Sequence, residues 1–164
     1  MGRGLTPGEQ SLAQGVFAEE VKLDAVRLHA GGFGGFAFTL GPHIFLPPHL
    51  ASADFARADA HAQALLVHEL VHVWQFQTRP LRTLASWARV LTSGGYGPGL
   101  SGYRYPLPIG AFEALNLEQQ ASVVEHAFLL RTGRRSGRMP NGLCAADLAS
   151  APFPGKPEAC GPWG

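Results

Sequence analysis

His68-Glu69-Leu70-Val71-His72 lies inside a long apolar segment of the chain, roughly residues 59–78. The flanking residues include Ala64, Leu65, Leu66, Val67, Val73, Trp74 and Phe76. Apolar side chains on nearly every face predict a central, buried helix rather than one with a wide wet face. Residues four apart on a helix share a face, one turn above each other. The HExxH spacing therefore presents both imidazoles on one side, where they can chelate a single metal. Glu69 stands beside them, placed to take a proton from water. With seven histidines in 164 residues, about 0.014 such matches arise by chance. Two histidines and a carboxylate among Leu, Val and Trp are costly to bury unless something pairs with them. A metal offsets that cost; the blander alternative is a histidine pair satisfied by hydrogen bonds.

A zinc site of this kind needs a third protein ligand. The downstream pattern HExxHxxGxxH is excluded, because Gln75 and Thr78 occupy its glycine and histidine positions. The other source is an acid on a later helix. Asn116 reads as an N-cap with Gln119 three residues on, which predicts a helix to about Leu130. Glu118 falls in its first turn, with the small Ala121 following, and is the candidate third ligand. Glu125, two turns on and on nearly the same side, is its rival, as is His126; Glu113 is expected to precede the helix. The alternative for Glu118 is an acid that serves the helix dipole.

Working outward, Thr6-Pro7-Gly8-Glu9 predicts a capped helix from about 7 to 18. Residues 21–29 read as a strand. Residues 36–40 and 43–46 read as two strands around Gly41-Pro42, and Pro47-Pro48 ends the second. The His43–Leu46 strand is expected at the sheet edge, where an extended peptide can pair. Residues 81–91 form a shorter amphipathic helix with Arg82 and Arg89 outside. Loops are expected at 31–35 and 93–102, and a loosely packed tail from Gly133. The organisation expected is one domain over residues 1–132 and a Gly/Pro/Arg-rich tail over 133–164.

Composition narrows the function classes. Net charge is +1 and charged residues make up 15%, against about 25% in typical soluble domains. Such a balance argues against a protein built to grip nucleic acid. Arg131, Arg134, Arg135 and Arg138 read as a solvated basic tail, since no aromatic residues interleave with them. The longest uncharged stretch, residues 28–53, is interrupted by five glycines, three prolines and three histidines, so no membrane span is expected. No apolar signal region follows Met1, which gives a cytoplasmic expectation with non-classical export as the variant of it. Cys144 and Cys160 allow one disulfide or two thiols.

A resemblance covers residues 5 to 131. HExxH followed by a glutamate helix looks like the gluzincin branch of zinc metallopeptidases. Leu5-Thr6-Pro7-Gly8-Glu9, Val26-Arg27-Leu28-His29, Thr39-Leu40-Gly41, His68 to Gln75, Tyr103-Arg104-Tyr105 and Glu118-Gln119-Gln120-Ala121 together resemble small bacterial "Vgr-related" proteins. These are relatives of the HExxH domains found beside contractile injection systems. The resemblance implies an α+β, minimal zincin-like domain, with a small sheet packed on the HExxH helix and the glutamate helix. It also implies Zn2+ held by His68, His72 and Glu118, with Glu69 as general base. Gluzincins often carry an acid four residues after the ligand glutamate, where it orients a ligand histidine; here that position is Ser122.

Two functions follow as expectations. The first is a zinc metallopeptidase acting on a peptide or protein substrate, with an oxyanion donor from Tyr103 or Tyr105, of which Tyr105 is preferred. The second is a non-catalytic zinc-binding module that binds or assembles with a secretion-system, spike-type partner. Glu69 favours the first, because a structural site needs no base.

Overall fold

Thr6 starts the first helix, α1 (Pro7–Phe17), with the reciprocal cap its sequence predicts: the Thr6 hydroxyl accepts the Glu9 N–H, and the Glu9 carboxylate accepts the Thr6 N–H. The description rests on a computed structural model and covers residues 2–31, 35–92 and 101–149. The fold is α+β, a three-stranded sheet packed against helices.

Strands β1 (Arg27–Ala30), β2 (Phe38–Leu40) and β3 (His43–Leu46) form the sheet in the order β1-β3-β2. β1 runs parallel to β3, and β2 antiparallel to it across a turn in which Gly41 has φ 59°. Leu28, Thr39, Ile44 and Leu46 point inward and are buried. Two expectations are corrected here. The first strand begins only at Arg27, because Leu23–Ala25 form a 3-10 turn. The buried residues Val21, Val26 and Leu28 keep the strand's two-residue period only from Val26 onward. And β3 is the central strand; the edges are β2 and β1, the latter bridged at Leu28 by Arg3. A hairpin alone leaves both strands as edges; here β3 pairs on its other side with β1, which precedes the hairpin in the chain.

Helix α2 (Ala60–Thr78) carries the HExxH residues. Asp59 caps it by accepting the N–H groups of His61 and Ala62. Leu66 to Gln75 are buried without interruption, because α2 packs along α4 and also against β2. That surround explains why its sequence is apolar on every face. Helix α3 (Pro80–Thr92) follows at once, and α4 (Leu117–Arg131) opens with the expected cap, Asn116 and Gln119 each bonding the other's N–H. Residues 32–34 and 93–100 of the two expected loops lie outside the described residues, as does Cys160; Cys144 is exposed.

The expectation of a loose tail from Gly133 is corrected over its described part. Met139, Leu143 and Leu148 are buried, and α5 (Ala145–Ala149) packs on α4. Arg131, Arg134, Arg135 and Arg138 are exposed, in line with the solvated reading, and three of them also donate hydrogen bonds: Arg131 to the Gly15 carbonyl, Arg135 to the Leu143 carbonyl and Arg138 to the Glu125 carboxylate. Among the described residues no helix is long and apolar enough to cross a membrane.

Candidate metal centre

One turn of α2 and the first turn of α4 meet at the centre of the molecule. His68 and His72 stand one above the other with ring centroids 5.1 Å apart. Both Nε2 atoms face the same oxygen, Oε2 of Glu118, at 3.3 Å and 3.5 Å. One ligand atom from each of the three residues lies within 4.8 Å of the other two, and all three residues are buried. Ligands at the usual zinc distances in a tetrahedron stand roughly 3.3 Å apart. The donor set and its spacing therefore fit a metal ion, and the group can hold one.

The opposite edge of each imidazole is also engaged. His68 Nδ1 lies 2.9 Å from Glu125 Oε2, and His72 Nδ1 lies 2.8 Å from Gln75 Oε1. An acceptor on Nδ1 fixes the proton there, which turns the Nε2 lone pair toward a cation. Both acceptors are themselves held. Arg138 donates to Glu125 Oε1 at 3.2 Å, and the Gln75 amide donates to the Leu117 carbonyl and to Gln120 Oε1.

The electrostatics agree with this geometry. Burial alone would lower the pKa of His68, but hydrogen bonds to Glu118 and Glu125 overcome it and push the imidazole up to about 10. His72 is raised as well, burial being outweighed by the Glu118 carboxylate. Glu118 is held well below the usual carboxylate range by His72 and His68, against the opposing effect of burial. A buried pocket that binds a proton this strongly is one in which a divalent cation can take the proton's place.

The sequence candidates divide cleanly. Glu118 joins the histidines. Glu125 reaches the far nitrogen of His68 instead, and His126 turns away: its Nδ1 lies 2.6 Å from the Tyr105 hydroxyl. Burial lowers His126 to about 4 and raises the Tyr105 phenol. Glu113 is in a 3-10 turn before α4, as expected. Glu69 is buried, and Thr39 on β2 donates to its Oε2 at 2.7 Å. Of the two tyrosines, Tyr103 is the one whose ring stands beside His68, at 6.0 Å between centroids, with the Arg138 guanidinium 5.8 Å above it. Trp87 approaches His72 edge-on at 6.5 Å.

Four residues of this network were not singled out for it from the sequence. Gln75 carried a signal, because a residue three after His72 lies over the same face. Glu125, a rival ligand by sequence, instead takes with its carboxylate the place on a ligand histidine that gluzincins often give to an acid at the position of Ser122, which is buried. Thr39 and Arg138 are distant in sequence and carried no signal.

Comparison with known proteins places the chain in a family. Residues 10–80 match the family model described as the eCIS core domain. The chain is 34% identical over 140 residues to the type VI secretion system spike protein VgrG2b of Pseudomonas aeruginosa; the match covers 78% of the chain but only 13% of that longer protein. Among solved structures, the effector domain of P. aeruginosa VgrG2b superposes with a TM-score of 0.67 at 31% identity, over 80% of this chain and 76% of that one.

Proposed function

This chain belongs to the family of the VgrG2b effector domain and carries an eCIS core domain, and from that premise we propose that it is a zinc-dependent metallopeptidase of minimal zincin type. The observation that carries the reading is the convergence of His68 Nε2, His72 Nε2 and Glu118 Oε2, with both Nδ1 atoms tied back, next to a buried Glu69 that is not needed as a ligand.

In this reading His68, His72 and Glu118 hold the ion. Zinc supplies Lewis-acid activation of water and of a carbonyl. Glu69 is the general base: Thr39 occupies Oε2, orients the carboxylate and directs Oε1 to the proton. Tyr103, beside His68, takes the oxyanion-donor role in place of Tyr105, whose hydroxyl is committed to His126. An extended substrate pairs with the edge of β2, the strand that carries Thr39, so backbone recognition and the base share one element. A secretion-system, spike-type partner, and export together with such an apparatus, are proposed on the homology to VgrG2b.

Metal analysis of the purified full chain tests the centre, and Glu69→Gln tests the chemistry. We expect about one zinc per chain. His68→Ala and Glu118→Ala should lose it, while Glu69→Gln should keep zinc and fold but lose proteolysis. Equal behaviour of wild type and Glu69→Gln against every protein substrate would leave the non-catalytic zinc module as the correct reading.

A further inference from the structure

Thr83 anchors α3 on α2: it is buried, and its hydroxyl donates to the Gln75 carbonyl at 2.9 Å. That anchor leaves α3 two flanks. Arg82 and Ser86 lie on one, where they line a cavity with Trp74 and Gln75 of α2. The other flank carries Leu84 and Trp87. Three residues apart, these two are neighbours about 60° apart around the helix. The Trp87 indole is half-buried and stands edge-on to His72, 6.5 Å between ring centroids. Leu84 is 54% exposed.

An apolar strip thus begins at His72 and runs out into water. The wall at His68 has a different chemistry: there the Tyr103 ring carries the Arg138 guanidinium 5.8 Å above it. The two sides of the centre therefore treat an arriving side chain unequally, and the side at His72 is the apolar one. The size of the strip selects its occupant. A folded partner needs roughly 800 Å² of surface on each side, far more than an indole and one isobutyl group present. A single side chain of a polypeptide already held at the metal needs no more than these two.

We infer that Trp87 and Leu84 form the wall that receives an apolar side chain, of the size of Leu, Met or Phe, from a residue of the polypeptide held at the metal centre. This rests on the zinc-peptidase reading, from which it takes the polypeptide and the metal that holds it; in that reaction the residue received is one beside the bond to be cut. Neither Trp87 nor Leu84 is a ligand, the base or the oxyanion donor. Their part is selectivity.

The test reads binding rather than turnover. The zinc-loaded full chain is titrated calorimetrically with three hydroxamates, whose head group chelates zinc: acetohydroxamate, 4-methylpentanohydroxamate, and the polar probe of matching shape, 4-amino-4-oxobutanohydroxamate. We expect the branched apolar probe to bind about tenfold tighter or better than the polar one. Leu84→Ser and Trp87→Ala should each bring the two within about threefold, with zinc content and acetohydroxamate affinity unchanged. Arg82→Ala, on the opposite flank, should change nothing. Leu84 is exposed, so its variant tests the wall even where loss of the indole disturbs His72. Equal affinity for the apolar and polar probes overturns the inference, as does a preference that survives Leu84→Ser and Trp87→Ala alike, or failure of every hydroxamate to bind the zinc-loaded chain. A chain that cuts no protein yet keeps the Leu84- and Trp87-dependent preference sinks the peptidase reading and leaves the wall. A chain that cuts proteins but binds both probes equally does the reverse.

Discussion

At the residue scale the centre turns on which atom of each histidine is left to a metal. Glu125 and Gln75 hold the Nδ1 atoms, so the two Nε2 atoms and Glu118 are presented together. Removing an outer partner of this kind typically weakens metal binding about 10–100-fold. Glu125→Gln should therefore lower zinc affinity by about that factor in competition with a chelator, while Glu118→Gln, which removes a ligand, should cost much more. A loss of equal size in the two variants would make Glu125 a ligand. Glu9 offers a separate check away from the metal. Its buried carboxylate accepts from Arg3 at two points, each 2.7 Å, and from the N–H groups of Thr6 and Phe55. Burial opposes ionisation, but Arg3 and the two amides prevail, so its pKa lies below the ordinary value. A depressed carboxyl contributes stability that is complete above the unfolded-state pKa of about 4.5 and is lost as pH falls through the folded value. In Glu9→Gln we expect lower stability at pH 7, by roughly 1–3 kcal/mol for a buried network left mismatched, and a smaller loss of stability on acidification than in wild type. Urea unfolding at pH 7 and pH 3 measures both.

At the element scale the site depends on how α4 begins. The Asn116–Gln119 cap fixes the first turn, and Glu118 is the second residue of that turn. Asn116→Ala should cost about 1 kcal/mol of stability and weaken zinc binding as well, because the ligand frays with the turn. A change in thermal midpoint with zinc affinity intact would separate the cap from the site. The cap, the HExxH spacing and both helices were legible in the sequence because each is written within a few residues. What could not be read there lies across elements. The edge position of β2 depends on β1 pairing with β3 rather than with β2, and Thr39 meets Glu69 only because β2 packs on α2. In the gluzincin pattern the acid that orients a ligand histidine stands four residues after the ligand glutamate, where this chain has Ser122. Here it arrives seven residues on, at Glu125, where two turns of helix restore nearly the same face.

At the scale of the whole molecule, residues from three separate regions converge on one imidazole. α2 supplies His68, α4 supplies Glu125, and the segment after α4 returns Arg138 to the other oxygen of Glu125. Arg138 also lies over the Tyr103 ring, which stands beside His68. The buried Met139, next to Arg138, and Leu143 pin this segment down, so the guanidinium is delivered by packing rather than by chance contact. Arg138 is half exposed, and its ion pair alone stabilises the fold little. Its effect should appear instead in the orientation of Glu125, and so in metal binding. Arg138→Met should lower zinc affinity several-fold with little change in the thermal midpoint, since the aliphatic stem is kept. In a Glu125→Gln background the same substitution should have almost no further effect, because the carboxylate it positions is gone. Chelator competition on the four proteins of this cycle measures the coupling. Additive losses would mean that Arg138 acts independently of Glu125, and the segment after α4 would then be a cover for the domain rather than part of its metal centre.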